Sequence, residues 1–551
     1  MRRMRSLGPL KSIAHLALTP LLFAACASGG AAENGTESNG GTSSAGSAGA
    51  GQAGGVSVTG GDAGYTAGTG GNSGAPGAGS GGDAGGSGGK AGTGGAAGSA
   101  GVTSGGASGS GGTAAVGGLA GTGGAGGSSA GTAGAGATAG AGGSGTCGGG
   151  TAQSSDITID ESKLQQKITG FGVSSAWAGS YANASDPDYL WSTTSGAGLS
   201  LLRIRYGDGL AIAQAAAKAG VTVWLTPWGM GTNGAPGGSD TTSQTANGCN
   251  SAVPVLTNPQ DWASKLATYV QNAKSQGVPL YAVSGENEPD SCGINQTTSY
   301  SATQLATWIG TYLGPAMAPL GVKVMGPETQ NACGFKSYFS ALQSDAAAWG
   351  AVDILASHEY GCGTLPAESA ITSANKEYWE TEVDTGAANG DSPGDGIASA
   401  LLTATTMHND LTKANLNAWH YWWMYCSNSS GCLYDTGTKV WTKRLWIMGN
   451  YSRFVRPGWQ RVATSGAAPS GVLVSAYINP ANNALSVVAI NSNMSSQSVS
   501  FYISNSAPCS LTPYETSASK SLGQGSALTV SQSRVTVMLS AQSVTTFTGM
   551  P

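Results

Sequence analysis

Residues 280–289, with the sequence LYAVSGENEP, decide the fold class, because a short apolar run passes directly into a cluster of polar residues. The apolar part has the length of one buried β-strand. Seven further segments of this kind alternate with helical patterns, at residues 168–174, 200–206, 221–227, 322–326, 353–357, 377–381 and 417–423. Eight strand–helix alternations over roughly 280 residues predict a (β/α)8 TIM barrel, with 280–284 as its fourth strand.

A second domain is expected after Arg456-Pro457-Gly458, where the spacing of the apolar residues changes. Residues 472–478, 484–491, 498–504 and 534–539 alternate apolar and polar side chains at period two, which predicts antiparallel strands. Residues 156–160 alternate in the same way. We therefore expect three folded parts, which are N-terminal strands at 151–168 that join the β-domain, a catalytic barrel at 169–455 and a β-sandwich side domain at 456–551.

The first 150 residues differ in composition from the rest of the chain. Of the 91 glycines, 52 lie between residues 29 and 150, whereas all 14 tryptophans come later. Such a Gly/Ala/Ser/Thr-rich chain has little apolar surface to bury, so residues 27–150 are predicted to be a disordered linker. Residues 1–26 combine a basic start with an apolar run that ends in Ala24-Ala25-Cys26. This pattern predicts an export signal and resembles that of bacterial lipoproteins, in which Cys26 would be lipidated; ordinary cleavage nearby is the alternative.

Charge and cysteine content narrow the functional class. The net charge of −5 argues against nucleic acid as the partner, because phosphate-binding proteins carry a basic surplus. After the N-terminus no apolar run reaches the length of a membrane helix. The eight cysteines beyond Cys26 suggest disulfides in an exported protein. Eight cysteines allow 105 pairings; among these, Cys426–Cys432 would close a short loop and Cys147–Cys509 would join the two ends of the folded region. The chain has only four histidines and no CxxC motif, so we expect no structural metal site. We also expect no cofactor.

Carboxylates at the C-terminal ends of the predicted strands are the candidate catalytic groups, since barrels of this kind place their reactive side chains there. Glu286 and Glu288 follow the fourth strand, Glu359 follows the sixth, and Glu380 and Glu382 end the seventh. Strands four and seven lie on opposite sides of a barrel mouth. Two facing carboxylates flanked by tryptophans indicate cleavage of a glycosidic bond, which uses one carboxyl group as acid and another as nucleophile or base. Spacing alone leaves open which of the glutamates act.

Four motifs, in one consistent order, resemble glycoside hydrolase family 30. Asn287-Glu288-Pro289 is similar to the strand-four signature of retaining (β/α)8 glycosidases. Residues 376–382, KEYWETE, resemble the strand-seven segment of the family, and residues 168–172, ITGFG, its first strand. Residues 451–458, YSRFVRPG, resemble the segment in which the family's chain leaves the barrel for its β-sandwich. The resemblance covers about residues 155–550 and implies a retaining glycosidase.

The resemblance implies a role for eight residues. Glu288 is implied as the general acid/base and Glu382 as the nucleophile. Asn287 is expected to donate a hydrogen bond to the 2-hydroxyl of the sugar, and Arg205 to pair with Glu382, although Arg203 has the same strand parity. The remaining members are expected to line the substrate site near the nucleophile, and they are Trp228, His358, Tyr360 and Trp422.

The substrate implied by the resemblance is β-1,4-xylan, because residues 417–423, NAWHYWW, parallel the eighth strand of the family's bacterial xylanase branch. Many members of that branch bind a glucuronic acid substituent of xylan through arginines that follow this strand, whereas residues 425–432 here contain no basic side chain. We therefore expect an exported, monomeric endo-xylanase, at the cell surface or tethered to the outer membrane through Cys26, that does not depend on glucuronic acid branches. The alternatives are hydrolysis of β-1,6-galactan, β-1,6-glucan or glucosylceramide, and a non-catalytic carbohydrate-binding protein.

Overall fold

The structure is a computed structural model that describes residues 147–229, 240–293, 297–386, 396–427, 431–466 and 468–551. The predicted export signal, Cys26 and the predicted linker as far as residue 146 lie outside the described residues. Residues 147–150, which the sequence assigned to the linker, are tied to the side domain. The backbone N–H of Ser533 donates to the carbonyl of Cys147, and the Tyr502 hydroxyl donates to the carbonyl of Gly150 at 2.7 Å.

Eight parallel strands form a closed barrel in which each strand pairs with its neighbours in sequence order. The strands are Gly170–Ser174, Leu201–Arg205, Thr222–Thr226, Leu280–Ser284, Lys323–Thr329, Val352–His358, Glu377–Glu382 and Ala418–Tyr421. We refer to them as barrel strands one to eight. The prediction of a (β/α)8 barrel from eight apolar segments is confirmed.

Helices surround the barrel between its strands. They are Asp186–Trp191, Leu210–Lys218, Pro259–Ser275, Ala302–Thr307 continued by Trp308–Leu313, Gly314–Met317 and Ala318–Leu320, Ala332–Ser344, Ala346–Ala351, Ser369–Ser373, Ile397–Asn409 continued by Asp410–Ala414, and Lys443–Ser452. Local sequence sets where they begin. Ser301 and Gln304 form a capping box, and the Asn331 side chain accepts hydrogen bonds from the backbone N–H groups of Cys333 and Gly334, which satisfies donors of the first helical turn.

Two apolar layers fix the barrel. One fills its interior and includes Leu201, Trp224, Met325, Ile354 and Trp379, all of them inaccessible to solvent. The other lies between the outer face of the strands and the helices. Because successive side chains of a strand point to opposite faces, strands buried on both faces are mostly apolar, which is why most barrel strands appear in the sequence as short apolar runs. The charged side chains Arg203, Arg205, Glu380 and Glu382 lie at the middle or in the C-terminal halves of their strands.

The side domain is a mixed, mostly antiparallel sheet that folds back on itself. Its strands are Asp156–Lys167, Gln460–Ser465, Val472–Ile478, Leu485–Asn491, Gln497–Ile503, Ser510–Thr516, Gly523–Gln524, Leu528–Thr529, Arg534–Leu539 and Ser543–Gly549. Phe501 and Phe547 lie on strands far apart in the sheet order, yet their ring centroids are 5.5 Å apart, so the two ends of the sheet enclose one core. The N-terminal strand Asp156–Lys167 joins this sheet, where it pairs with Gln460–Ser465 and Gln497–Ile503.

Four disulfides link the chain. The pairs Cys147–Cys509 and Cys426–Cys432, which the sequence analysis considered, are both formed, and the remaining cysteines form Cys249–Cys292 and Cys333–Cys362. The last three bridges join segments that follow barrel strands at the C-terminal end of the barrel. Among the described residues, none of the helices has both the length and the apolar character needed to span a membrane.

Candidate active site

The C-terminal ends of the barrel strands surround a cavity of about 530 Å³. Its lining residues are Trp177, Trp228, Asn287, Glu288, Gln330, Tyr360, Glu382, Trp422 and Trp423. Six of the eight residues singled out from the sequence are among them. His358 lies directly behind the lining, whereas Arg205 does not belong to it. Trp177, Gln330 and Trp423 were missed, although each follows a barrel strand on the polar side of its end, which is the signal that identified the others.

Glu288 and Glu382 face each other across the cavity. One carboxylate oxygen of Glu288, one of Glu382 and a ring nitrogen of His358 all lie within 4.8 Å of one another. Both carboxylates are 5% exposed, so they reach solvent only through the cavity. Glu288 adopts a left-handed backbone conformation with φ of 47°, which is unusual for a non-glycine residue and is typical of functional sites.

Arg203, rather than Arg205, pairs with Glu382, which corrects the prediction. Its Nη1 donates to Glu382 Oε2, and its Nη2 donates to Asn287 Oδ1 at 2.7 Å. Arg205 lies two residues further along barrel strand two, about 6.6 Å nearer the barrel mouth. There Asp208, in the loop that follows, accepts hydrogen bonds from Arg205 Nε and Nη2 at 2.7 and 2.6 Å. The alternation of side chains along the strand could not show which arginine pairs with Glu382, because residues two apart point to the same face of a strand.

Tyr360 and His358 complete the surroundings of the two glutamates. The Tyr360 hydroxyl donates to Glu382 Oε1 at 2.9 Å, and burial next to that carboxylate raises the pKa of Tyr360 well above its usual value, so it keeps its proton. His358 Nδ1 lies 3.1 Å from Glu288 Oε1. Burial alone would lower the pKa of His358, but the charge of Glu382 and hydrogen bonds to Glu288 and Glu328 raise it to about 10.

The electrostatic balance at Glu382 follows from these contacts. Burial raises the pKa of this carboxyl group, and the positive charges of His358 and Arg203 offset the increase only in part. Arg203 is itself fully buried, and its positive charge is stabilised by Glu328 and Glu382. The site therefore holds its ionised groups as a network of short contacts, without which their burial would be costly.

Tryptophans form the walls of the cavity. Trp228 is almost fully buried and lies under the guanidinium group of Arg203, with 4.2 Å from Cζ to the ring centroid. Trp177 is 41% exposed at the rim, and its ring packs edge-on against Trp228 at 5.5 Å and Trp422 at 5.9 Å. Trp422 and Trp423 stack at 5.6 Å. Such flat apolar faces suit the faces of sugar rings.

The three other glutamates of the sequence analysis lie outside the cavity lining. Glu286 and Glu380 are fully buried, and Glu359 is half-buried. Burial raises the pKa of Glu286 and Glu380 well above the usual range, and burial together with Asp410 raises the pKa of Glu359 to about 11. These surroundings favour the protonated form of all three groups.

Among the described residues, Glu288, His358 and Glu382 are the set whose ligand atoms are close enough to hold a metal ion. The surroundings oppose this use. The guanidinium group of Arg203 already neutralises Glu382, and the raised pKa of His358 keeps a proton on the ring nitrogen that a metal would need. The same contacts suit two carboxyl groups that react with an organic substrate, one by proton transfer and the other through its negative charge.

Known proteins resemble this chain along most of its described length. Glucuronoxylanase XynC of Bacillus subtilis strain 168 is 29% identical over 412 residues, which cover 72% of this chain and 92% of that protein. A family 30 endoxylanase from Clostridium papyrosolvens C71 aligns with a TM-score of 0.62 and 28% identity over 72% of this chain and 100% of that one. Xyn30A, a family 30 subfamily 8 xylanase from Clostridium acetobutylicum, aligns with a TM-score of 0.64 and 28% identity over the same shares. No family model matches the sequence.

The chain forms a (β/α)8 barrel whose mouth brings two carboxyl groups together in a tryptophan-walled cleft, and its relatives are named as xylanases; it is a glycoside hydrolase. The chain is similar to members of glycoside hydrolase family 30 over 72% of its length, which supports its assignment to that family. The resemblance read from its four sequence motifs is thereby confirmed.

Proposed function

We propose that this protein is a retaining endo-β-1,4-xylanase in which Glu382 is the nucleophile and Glu288 the general acid/base. In the first step Glu382 attacks the anomeric carbon, the glycosidic C–O bond breaks, and Glu288 gives its proton to the leaving oxygen. In the second step Glu288 takes a proton from water as the water oxygen attacks the anomeric carbon and releases Glu382.

The observation that carries this proposal is the separation of the two carboxylates. Oxygens of Glu288 and Glu382 lie within 4.8 Å of each other. Retaining enzymes hold their carboxyl groups about 5–5.5 Å apart, whereas inverting enzymes need about 6.5–9.5 Å to admit a water molecule between the sugar and the base. The separation therefore supports direct attack by Glu382.

The neighbours of the two glutamates support their assignment to different roles. Glu382 accepts hydrogen bonds from Arg203 and Tyr360, and both donors stabilise its ionised form, as a nucleophile requires. Glu288 lies beside His358 at 3.1 Å and receives no arginine contact among the ion pairs of the described residues. Asn287 is held by Arg203, and we expect its amide to donate to the 2-hydroxyl of the sugar.

Xylan is proposed as the substrate because the reported relatives at 28–29% identity are named as xylanases or glucuronoxylanases. We further propose that hydrolysis does not require glucuronic acid branches. No basic side chain is among the described residues that line the cavity, and residues 425–432 contain no Arg or Lys. A carboxylate on the substrate would therefore lack the bidentate arginine partner that such recognition uses.

The test is release of reducing sugar from glucuronoxylan, from unbranched xylo-oligosaccharides, and from β-1,6-glucan and β-1,6-galactan. We expect comparable rates on the first two substrates and little release from the others. Glu382→Gln should lower kcat by on the order of a thousandfold or more, because the covalent route is lost. Cleavage confined to glucuronoxylan contradicts the branch-independent specificity, and equal activity of the Gln variant contradicts the catalytic assignment.

Glu380→Gln is the matched control for this variant. It introduces the same isosteric change on the same strand, at a buried carboxyl group whose raised pKa favours the protonated form and which lies outside the cavity lining. The control should keep most of the activity.

Export fits the four disulfides, which form and persist outside the cytosol. The monomeric state, the export signal and lipid attachment at Cys26 remain predictions. Cell fractionation of a Cys26→Ser variant tests the attachment, since the protein should then leave the membrane fraction, and unchanged fractionation counts against a lipid.

A further inference from the structure

Glu328 is a buried carboxylate at the active site to which the proposed mechanism gives no role. It is the sixth residue of barrel strand five, Lys323–Thr329, and is inaccessible to solvent. It does not line the cavity. Its backbone has a left-handed φ of 58°, the same unusual region that Glu288 occupies, and such conformations persist only where the surrounding structure imposes them.

The side chain of Glu328 is bound on several sides. Arg203 Nη2 lies 2.5 Å from its Oε1, so a single guanidinium group joins Glu328 to Glu382. His358 Nε2 lies 3.4 Å from the same oxygen. The Thr226 hydroxyl lies 3.3 Å from each of the two carboxylate oxygens.

The backbone of Glu328 also supports the second catalytic carboxylate. The N–H of Glu288 donates to the carbonyl of Glu328 at 3.0 Å. This hydrogen bond joins the segments at the ends of barrel strands four and five, at the position where Glu288 enters the cavity lining. Glu328 thus contacts Arg203, His358 and Glu288, the three groups that set the charge around the reacting bond.

The charges of the network explain why a carboxylate is needed there. Arg203 is permanently cationic, and His358, with its pKa raised to about 10, is cationic at neutral pH. Glu382 alone would leave one positive charge buried without a partner, which is costly. The charges of Arg203 and His358 lower the pKa of Glu328 despite its burial, and the ionised Glu328 completes the balance.

Other titratable groups near Glu328 are neutral and do not contribute to this balance. Glu286, at the end of barrel strand four, interacts with Glu328, and burial raises its pKa well above the usual range, which favours its neutral form. His420, on barrel strand eight, is fully buried, and its pKa is lowered to about 3. Tyr360 is protonated because its pKa is raised.

We propose that Glu328 is a positioning residue for the glycosidase reaction: its fixed negative charge neutralises the second buried cation and holds Arg203 and His358 beside the two catalytic carboxyl groups. The inference rests on the proposed function for its kinetic test. Without this charge the site carries one more positive charge, and both catalytic carboxyl groups release protons more readily. The bell-shaped pH dependence of kcat/KM then moves to lower pH on both limbs.

The first experiment measures this pH dependence for the full chain and for Glu328→Gln on the β-glycan that the wild type hydrolyses. Both limbs of the Gln variant should lie about one pH unit lower, the effect expected of one charge a few ångströms away at moderate effective dielectric constant. Glu328→Asp keeps the charge and should leave the limbs in place even if kcat falls. Limbs that stay in place in Glu328→Gln overturn the proposal.

Glu286→Gln is the matched control, because it makes the same substitution at a neighbouring, fully buried carboxyl group whose raised pKa favours its neutral form. Its limbs should coincide with those of the wild type. A shift equal to that of Glu328→Gln would show that any change in this buried layer moves the profile, and would overturn the role of the charge.

A second measurement requires no enzymatic activity, and its wild-type part requires no variant. In protein labelled with ¹⁵N-histidine, the His358 imidazole should remain protonated up to about pH 10, and its titration should move to lower pH in Glu328→Gln. Titration of wild-type His358 near pH 6.5 would overturn the charge balance. A protein that hydrolyses no β-glycan but shows the raised His358 titration contradicts the proposed function and leaves the charge balance standing.

Discussion

The charge state of Glu382, the proposed nucleophile, depends on hydrogen bonds from individual neighbouring residues. Glu382 is buried, which raises its pKa, and it is kept available for ionisation by Arg203 on one oxygen and Tyr360 on the other. A hydrogen bond to a charged group contributes about 1.5–3 kcal/mol. With Glu382 as the proposed nucleophile, we expect activity to be lost as the pH falls through the pKa of Glu382, and the raised pKa should move this acid limb upward.

Tyr360→Phe tests this account at the residue scale. Loss of about 1.5–3 kcal/mol of stabilisation of the Glu382 carboxylate should lower kcat/KM roughly tenfold to a hundredfold. It should also move the acid limb to higher pH, since a carboxylate that loses a donor is more easily protonated. Steady-state kinetics across pH measures both effects.

Tyr338→Phe is the control for that variant. Its hydroxyl donates to the carbonyl of Tyr300 at 2.5 Å, away from the cavity lining. It should lower stability without moving the acid limb. An acid limb that stays in place in Tyr360→Phe would contradict a direct action of this hydroxyl on Glu382.

At the scale of elements, the segment after barrel strand six is constrained between two rigid parts of the fold. Tyr360 is followed by three consecutive residues with left-handed backbone, Gly361, Cys362 and Gly363, with φ of 77°, 59° and 74°. Cys362 is bonded to Cys333, which lies in the first turn of the Asn331-capped helix Ala332–Ser344. The Tyr360 N–H also donates to the carbonyl of Gln330. The bridge therefore holds the Tyr360 segment on a capped helix.

A double variant, Cys333→Ser with Cys362→Ser, tests the importance of this bridge. We expect a loss of stability on the order of 2–4 kcal/mol and, in addition, a severalfold fall in kcat, because Tyr360 is held less well against Glu382. When Tyr360 is already replaced by Phe, removing the bridge should cause no further fall in kcat, because the hydroxyl that the bridge positions is absent. Thermal unfolding and kinetics of the four proteins measure the cycle.

The pair Cys147→Ser with Cys509→Ser is the comparison for the bridge variant. This bridge ties the N-terminal segment to the side domain, so its loss should lower the unfolding temperature and leave kcat unchanged. An equal fall in kcat in both bridge variants would assign the effect to general loosening of the fold.

At the scale of the whole molecule, the sequence was sufficient for the architecture because the barrel strands are mostly apolar on both faces and the side-domain strands alternate. The site was predictable where a motif places a residue at the end of one strand, as for Glu288 and Glu382. It was not predictable where the outcome depends on packing between strands. Arg203 and Arg205 share a face, and only the depth of Glu382 and the position of Asp208 separate them.

Glu328 illustrates the same limit. It follows an apolar segment at the end of barrel strand five, so its position obeys the rule that identified the other site residues. Its role depends on Arg203 from barrel strand two and His358 from barrel strand six, which only the closed barrel brings together. The disulfides Cys249–Cys292 and Cys333–Cys362 could not be predicted for a related reason. Eight cysteines can pair in many ways, and the sequence alone does not select among them.

The central claim is that Glu382 attacks the sugar directly, and the anomeric configuration of the first product tests it most directly. Proton NMR of unbranched β-1,4-xylo-oligosaccharides, recorded in the first minutes of hydrolysis before mutarotation, distinguishes the two anomers. Attack by Glu382 followed by water inverts the anomeric carbon twice, so the new reducing end should appear first as the β-anomer. First appearance of the α-anomer would mean a single displacement by water and would contradict the account.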